Sequence, residues 1–139
     1  MSRTDTKPIL AKLARALTTR LPEVIAIYCF GSFGTSNERP GSDIDLGLQP
    51  SRPLDPTALF YLAGELATLA NRDVDLVDMV RCSTVMRAEI VATGELIFCL
   101  DTDLCEDFAT TAYSRYAHLN ETRRGIVQDI LERGFIHDR

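Results

Sequence analysis

Residues 24–48 read VIAIYCFGSFGTSNERPGSDIDLGL, and this stretch decides the fold. Its first part, 24–30, is a continuous apolar run, which predicts a buried strand. Residues 31–42 are rich in Gly, Ser, Asn and Pro, a composition typical of a turn followed by a loop. Residues 43–48 alternate between polar and apolar side chains, which predicts a half-buried strand. The centre of the predicted sheet is therefore two strands joined by a tight loop.

The segments on either side are predicted from apolar periodicity and capping residues. Helices are expected at 6–20, 55–70, 83–92 and 101–131, and strands at 73–78 and 95–100. Pro8 is expected in the first turn of the first helix, and Gly125 is a candidate break in the last one. The predicted class is α+β (mixed α/β), a small mixed sheet of about three to five strands flanked by helices with a helical C-terminal segment. Residues 1–139 are expected to form a single domain.

Composition excludes several functional classes. The net charge of -5 argues against stable binding of nucleic acid through a basic face. No signal-peptide pattern and no apolar run of roughly 18 residues is present, so a cytoplasmic protein without membrane contact is expected. The four cysteines include no CxxC pair, and with only two histidines a zinc site is not expected. Cys29 and Cys99 lie in apolar runs and are interpreted as buried small hydrophobic residues.

Three aspartates form the candidate metal site. Asp43 and Asp45 are two residues apart on a predicted strand, so their carboxylates point to the same face and repel each other. A Mg²⁺ ion resolves such repulsion, because it commonly binds one or two carboxylates together with substrate phosphates. Asp75 would join the pair if its strand lies beside theirs, and could then also accept a proton from an attacking hydroxyl. The alternative is an ordinary surface Asp-x-Asp pattern in an acidic protein.

Gly31-Ser32 directly follows the buried strand and is the candidate phosphate site. Glycine lets backbone N–H groups approach a phosphate, and a turn into a helix directs such groups at an anion. A Gly-Ser pair after a strand is by itself only a weak indication of a phosphate site. The ten residues between Ser32 and Asp43 are enough for the chain to return alongside the turn. Phosphate donors and carboxylates would then face one pocket, as phosphoryl transfer requires.

The spacing Gly31-Ser32, ten residues, Asp43-Ile44-Asp45 resembles the signature of the polymerase β-like nucleotidyltransferases. Within them, the chain is most similar to the minimal nucleotidyltransferase (MNT) antitoxins that are paired with HEPN ribonuclease toxins. The resemblance extends over about residues 24–100. It implies a small mixed sheet with the active site on one face.

The resemblance also implies roles. Gly31 and Ser32 would contact the nucleotide phosphates, Asp43 and Asp45 would bind one or two Mg²⁺ ions, and Asp75 would be the third carboxylate. The implied reaction transfers AMP from ATP to a tyrosine hydroxyl of the partner HEPN toxin, within a hetero-oligomer, and further AMP units can follow the first.

Two loop residues are assigned to the nucleotide on weaker grounds. Ser42 precedes the aspartate pair as it does in the family. Many minimal members carry Ala-Arg-Gly after the Gly-Ser turn, whereas this chain has residues 33–36, FGTS, with Arg39 further along. Arg39 either replaces that phosphate contact or is a solvated loop arginine.

Two other functions stay open: an antitoxin that acts by binding alone, and nucleotidyl transfer to a small molecule such as an aminoglycoside. The aromatic and basic residues at 113–124 are either a partner or base contact, or the solvated face of an amphipathic helix.

Overall fold

The computed structural model describes residues 3–31, 33 and 41–133. Four helices and four strands follow one another in these residues: α1 (Arg3–Arg20), β1 (Val24–Phe30), β2 (Ile44–Pro50), α2 (Pro56–Ala70), β3 (Val74–Asp78), α3 (Thr84–Thr93), β4 (Glu95–Cys99) and α4 (Thr102–Arg133). The strands form one sheet in the order β3-β2-β1-β4. β1 is antiparallel to both β2 and β4, whereas β2 and β3 are parallel. The predicted mixed sheet flanked by helices is confirmed.

Helices cover both faces of the sheet. On one face, α1 and α2 bury the larger apolar cluster, which includes Leu13, Leu17, Leu46 and Leu66. On the other face, α3 and α4 bury a smaller cluster of Ala26, Tyr28, Met79, Ile90 and Cys105. Because side chains alternate along a strand, the residues of β2 between its buried leucines point to the α3/α4 face.

The predicted helix ends are explained by side-chain capping. The Asp55 carboxylate accepts a hydrogen bond from Thr57 N at 3.2 Å and begins α2. The Ser83 hydroxyl accepts one from Met86 N at 3.1 Å and begins α3. Gly94 follows the last turn of α3, and its N–H donates a hydrogen bond to Ile90 O at 2.7 Å. Each capping oxygen satisfies an N–H group that has no partner within its helix.

Three local predictions were wrong. α1 begins at Arg3, so Pro8 lies inside the helix rather than in its first turn; a proline this close to the helix start removes only one internal hydrogen bond. β2 extends to Pro50, beyond the predicted end of the strand at residue 48. Cys99 is exposed, because β4 is an edge strand. Cys29 is buried, as predicted.

α4 is one continuous helix, and Gly125 does not break it. A single glycine costs a helix only about 1 kcal/mol, which the residues on both sides offset. The helix packs on α3 and β1. None of the described helices is long and apolar enough to cross a membrane.

Candidate active site

Asp45 and Asp75 lie directly beside each other on neighbouring strands. In the parallel pair of β2 and β3, the Cα atoms of Asp45 and Asp75 are register partners. Register partners point to the same face of a sheet, so both carboxylates are on the α3/α4 face. Asp43 immediately precedes β2 and is exposed. The predicted adjacency of the two aspartate-bearing strands is therefore present.

The carboxylates repel one another. Asp45 is half-buried, and its pKa is raised, first by burial and then by the charges of Asp75 and Asp43. Within the described part of the chain, no hydrogen-bond donor or cationic side chain is paired with any of these three carboxylates. Among the described residues, negative charge is thus concentrated here without a counter-charge, and the charged form of Asp45 is disfavoured.

Gly31 lies against the Asp45 carboxylate. Its φ of +78° belongs to the left-handed region, which favours glycine. A Cβ atom at this position would overlap the Asp45 side chain. The missing side chain therefore allows the backbone turn and the carboxylate to meet. Ser32 and Arg39, the other predicted phosphate contacts of this loop, lie outside the described residues.

A cavity of about 260 Å³ borders the turn. Phe30 and Gly31 line it on the sheet side, and Met86, Glu89, Ile90 and Thr93 of α3 line the other side. A second cavity of about 600 Å³ follows the open edge of β3 and is lined by Asp73 and Asp75 and by the exposed Phe60 and Tyr61 of α2. Open space is thus present beside both the glycine turn and the strand edge that carries Asp75.

Arg72, which the sequence reasoning missed, contacts both sides of the loop between β1 and β2. Its Nη1 donates a hydrogen bond to Ser42 O at 3.1 Å, and its guanidinium lies 4.7 Å from the centre of the Phe33 ring. The arginine thereby ties the segment before Asp43 to the segment after Gly31. A lone arginine after a helix carries no sequence signal for this role. The predicted nucleotide contact of Ser42 stays a prediction.

The three carboxylates suit a hard divalent cation in number and charge. Mg²⁺ binds through oxygen ligands, and one or two carboxylates suffice when phosphates supply the others. The unpaired charge around Asp45 is the observation that fits such an ion. The described His, Cys, Asp and Glu side chains include no ready-made group of three or more for a metal. Joint metal binding by Asp43, Asp45 and Asp75 therefore stays a prediction.

The aromatic and basic residues of α4 lie away from these cavities. Tyr113, Arg115, Tyr116 and His118 are exposed, and none of them lines the space beside Gly31 or Asp75. The described residues thus give no support to a base contact with a nucleotide held there.

Comparison with known proteins identifies a matching family and a similar protein. The family described as "Polymerase beta, Nucleotidyltransferase" matches residues 11–103. The "Protein adenylyltransferase MntA" of Shewanella oneidensis is 34% identical over 120 residues, which cover 86% of each chain.

Three solved structures of toxin–antitoxin complexes contain similar chains. One, with AMP-PNP, matches at 33% identity and a TM-score of 0.78, covering 88% of this chain and 98% of the other. A second holds the tri-AMPylated S. oneidensis HEPN toxin with its MNT antitoxin, at 32% identity and a TM-score of 0.76, covering 91% and 98%. The third, MntA–HepT, matches at 32% identity and 0.73, covering 88% and 97%.

Proposed function

The chain belongs to the polymerase β nucleotidyltransferase family, and on this premise we propose that it is an antitoxin that transfers AMP from ATP to a tyrosine hydroxyl of a partner HEPN ribonuclease toxin. The observation that carries the proposal is the pairing of Asp45 with Asp75 beside the Gly31 turn. Support also comes from the adenylyltransferase name of the relative and from the tri-AMPylated toxin in a similar complex. Repeated transfer adds further AMP units to the first.

The nucleotide lies with its phosphates over the glycine turn. Gly31 leaves the backbone accessible there, and Ser32 supplies an N–H and a hydroxyl as donors. Asp43 and Asp45 would hold one or two Mg²⁺ ions, which would neutralise charge on the phosphates and on the leaving pyrophosphate. A bound ion would also offset the charges of Asp75 and Asp43, which add to burial in raising the pKa of Asp45.

The acceptor hydroxyl approaches from the open edge of β3. Asp75 lies at that edge and takes the proton of the tyrosine hydroxyl. The hydroxyl oxygen then attacks the α-phosphorus, a new P–O bond forms, and the bond to pyrophosphate breaks. Gly31 and the aspartates fix the phosphate relative to the attacking oxygen, so the main contributions of the chain are positioning and electrostatics.

The cavity beside Asp75 favours a macromolecular acceptor. Phe60 is 75% exposed and Tyr61 is 67% exposed, and their rings meet edge-to-face with centroids 5.7 Å apart. Exposed aromatic pairs of this kind are frequent where a protein partner binds. A toxin chain seated there would contact the strand edge that carries Asp75.

The test uses α-labelled ATP, Mg²⁺ and the purified partner toxin. The wild-type chain is expected to label the toxin and to suppress its ribonuclease activity, whereas Asp43→Ala and Asp45→Ala are expected to do neither. Asp103→Asn, which removes an exposed carboxylate from the first turn of α4, is the matched control and retains full labelling. Equal labelling by the aspartate variants contradicts the proposal. Neutralisation by the double variant without any label shows instead an antitoxin that acts by binding.

A further inference from the structure

Two free cysteines lie in contact at the junction of β4 and α4. The Cys99 Sγ and Cys105 Sγ atoms are 2.8 Å apart. Cys99 is the last residue of β4 and is exposed, whereas Cys105 is only 5% exposed and belongs to the apolar cluster under α3 and α4. One sulfur is thus open to solvent reagents while the other lies directly behind it.

The other two cysteines differ from this pair. Cys29 is buried in the cluster on the opposite face of the sheet. Cys82 is half-buried in the turn before α3, and its thiol donates a hydrogen bond to Met79 O. Cys99 and Cys105 are therefore the one pair of thiols in contact within the described residues.

The surroundings hold the two sulfurs in place. Leu100 N donates a hydrogen bond to Ile25 O at 2.8 Å, which fixes the end of β4 against β1. The Asp101 carboxylate accepts from Leu104 N at 3.1 Å and begins α4, and Cys105 N donates to Asp101 O at 3.0 Å. Because both thiols are anchored by backbone contacts, they meet without a rearrangement of the chain.

We propose that Cys99 and Cys105 are an oxidative modification site at which a peroxide forms an intramolecular disulfide between β4 and the first turn of α4. The exposed Cys99 thiolate attacks hydrogen peroxide, becomes a sulfenic acid and releases water. The Cys105 sulfur then attacks the Cys99 sulfur, the S–S bond forms, and the sulfenic oxygen leaves as a second water. Two thiols are oxidised by one peroxide, which is reduced to two waters, and a thiol reductant reverses the product.

The order of attack follows from burial. Burial and, after it, the hydrogen bond with Cys99 raise the pKa of the Cys105 thiol to about 11. Cys105 is therefore a poor first nucleophile, whereas the accessible Cys99 meets the oxidant. The disulfide covalently fixes the start of α4, where Gln49 Nε2 of β2 also donates a hydrogen bond to Leu104 O at 3.4 Å.

The test treats the reduced chain with a small excess of hydrogen peroxide and needs neither ATP nor a partner, so its outcome is independent of the proposed transferase activity. The intact mass is expected to fall by two hydrogen atoms, and the free thiols from four to two. Cleavage before Asp101 and Asp103 is expected to give two peptides that stay joined until they are reduced. The melting temperature is expected to rise on oxidation and to return on reduction.

Cys99→Ser and Cys105→Ala should each abolish the linked peptide, whereas the matched variant Cys82→Ser should keep it. Failure of a variant to fold leaves the peptide map of the wild-type chain as the deciding measurement. Disulfide-linked dimers as the main product, oxygen added to Cys99 without cross-linking, or four thiols surviving the treatment would each overturn the proposal.

Discussion

The two ends of β3 carry aspartates in opposite circumstances. At its beginning, Asp75 is exposed beside Asp45, and the described residues offer neither a cation nor a donor to either carboxylate. At its end, Asp78 is 8% exposed, and both of its carboxylate oxygens accept hydrogen bonds. Its oxygens accept from Leu54 N and Val80 N, each at 2.9 Å, and Arg81 Nε lies 3.6 Å away.

The difference separates a carboxylate that the fold holds from two that the described residues leave without a counter-charge. Asp78 joins the loop before α2 to the turn before α3, so its charge is balanced by groups that the fold also needs. Burial and the neighbouring charges disfavour the charged form of Asp45, as expected if Asp45 and Asp75 serve the proposed metal ion rather than the fold. The two ends of one strand can therefore be tested separately.

The largest effect is expected from Asp45→Asn. Losing a carboxylate that is proposed to bind the metal should reduce AMP transfer about 1,000-fold, equal to about 4 kcal/mol of transition-state stabilisation. The melting temperature in EDTA should not fall, because the amide removes repulsion from Asp75 and Asp43. Transfer rates and thermal melts of the same sample measure both quantities. Lower stability with unchanged AMP transfer would show that Asp45 serves the fold, as Asp78 does.

Asp78→Ala should show the reverse pattern. Removing the carboxylate leaves the buried Leu54 N–H without its partner and frees Val80 N, at a cost of about 3 kcal/mol in the free energy of unfolding. Transfer per folded molecule should change little. Urea unfolding measures the free energy of unfolding, and single-turnover labelling measures AMP transfer. Asp78→Asn, which keeps one acceptor oxygen, should lose less, and an equal loss for both variants would contradict the hydrogen-bond account.

Gly31→Ala should affect stability and transfer together. A non-glycine residue at φ +78° costs about 1–2 kcal/mol, and the new Cβ displaces the Asp45 carboxylate. The free energy of unfolding should fall by about that amount, and AMP transfer should fall as well. The control is Gly64→Ala on α2, where a Cβ meets nothing within 4 Å. Unchanged AMP transfer by Gly31→Ala would show that the geometry of the turn does not affect the function of the Asp45 carboxylate.

Arg72→Ala should cost at least about 1 kcal/mol of stability, since it removes the hydrogen bond to Ser42 O and the cation–π contact with Phe33 among its interactions. As Arg72 joins both sides of the loop between β1 and β2, where the nucleotide is proposed to bind, the KM for ATP should rise more than kcat falls. Arg72→Lys keeps the charge but not the planar group and should restore part of the KM. A loss of stability without a change in the KM for ATP would show that Arg72 serves only the fold.

Much of this arrangement could be predicted from the sequence. Local signals were enough to predict the helices and strands. These signals are the apolar run of β1, the alternation around Asp45 and Asp75, and the capping residues Asp55 and Ser83. The signature spacing predicted that Gly31 and Asp45 would meet.

What the sequence could not show depends on tertiary contacts. Asp75 and Asp78 look alike in the sequence, and only the packing of the loop at Leu54 against the end of β3 distinguishes them. The roles of Arg72 and the contact of Cys99 with Cys105 likewise follow from which elements become neighbours. Ser32 and Arg39 keep their predicted roles untested.

The smallest expected effect is a pH dependence of stability. The pKa of Asp45 is higher in the folded chain than in the unfolded chain, mainly because of burial. In the window between those two values the folded state binds more protons, so stability falls as the pH rises through the window. Urea melts in EDTA from pH 4 upward should show this decline in the wild type and a weaker one in Asp45→Asn. Identical slopes in the two proteins would show that Asp45 titrates normally.

The parallel pairing of β2 with β3 has a consequence for folding kinetics. β1 and β2 form a local hairpin, whereas β3 reaches β2 only after the chain has crossed over through α2. The repulsion between Asp45 and Asp75 is therefore absent until the crossover is complete. Interactions that form after the transition state act on the unfolding rate. Neutralising this pair should therefore prolong the lifetime of the native chain while its refolding rate stays nearly constant.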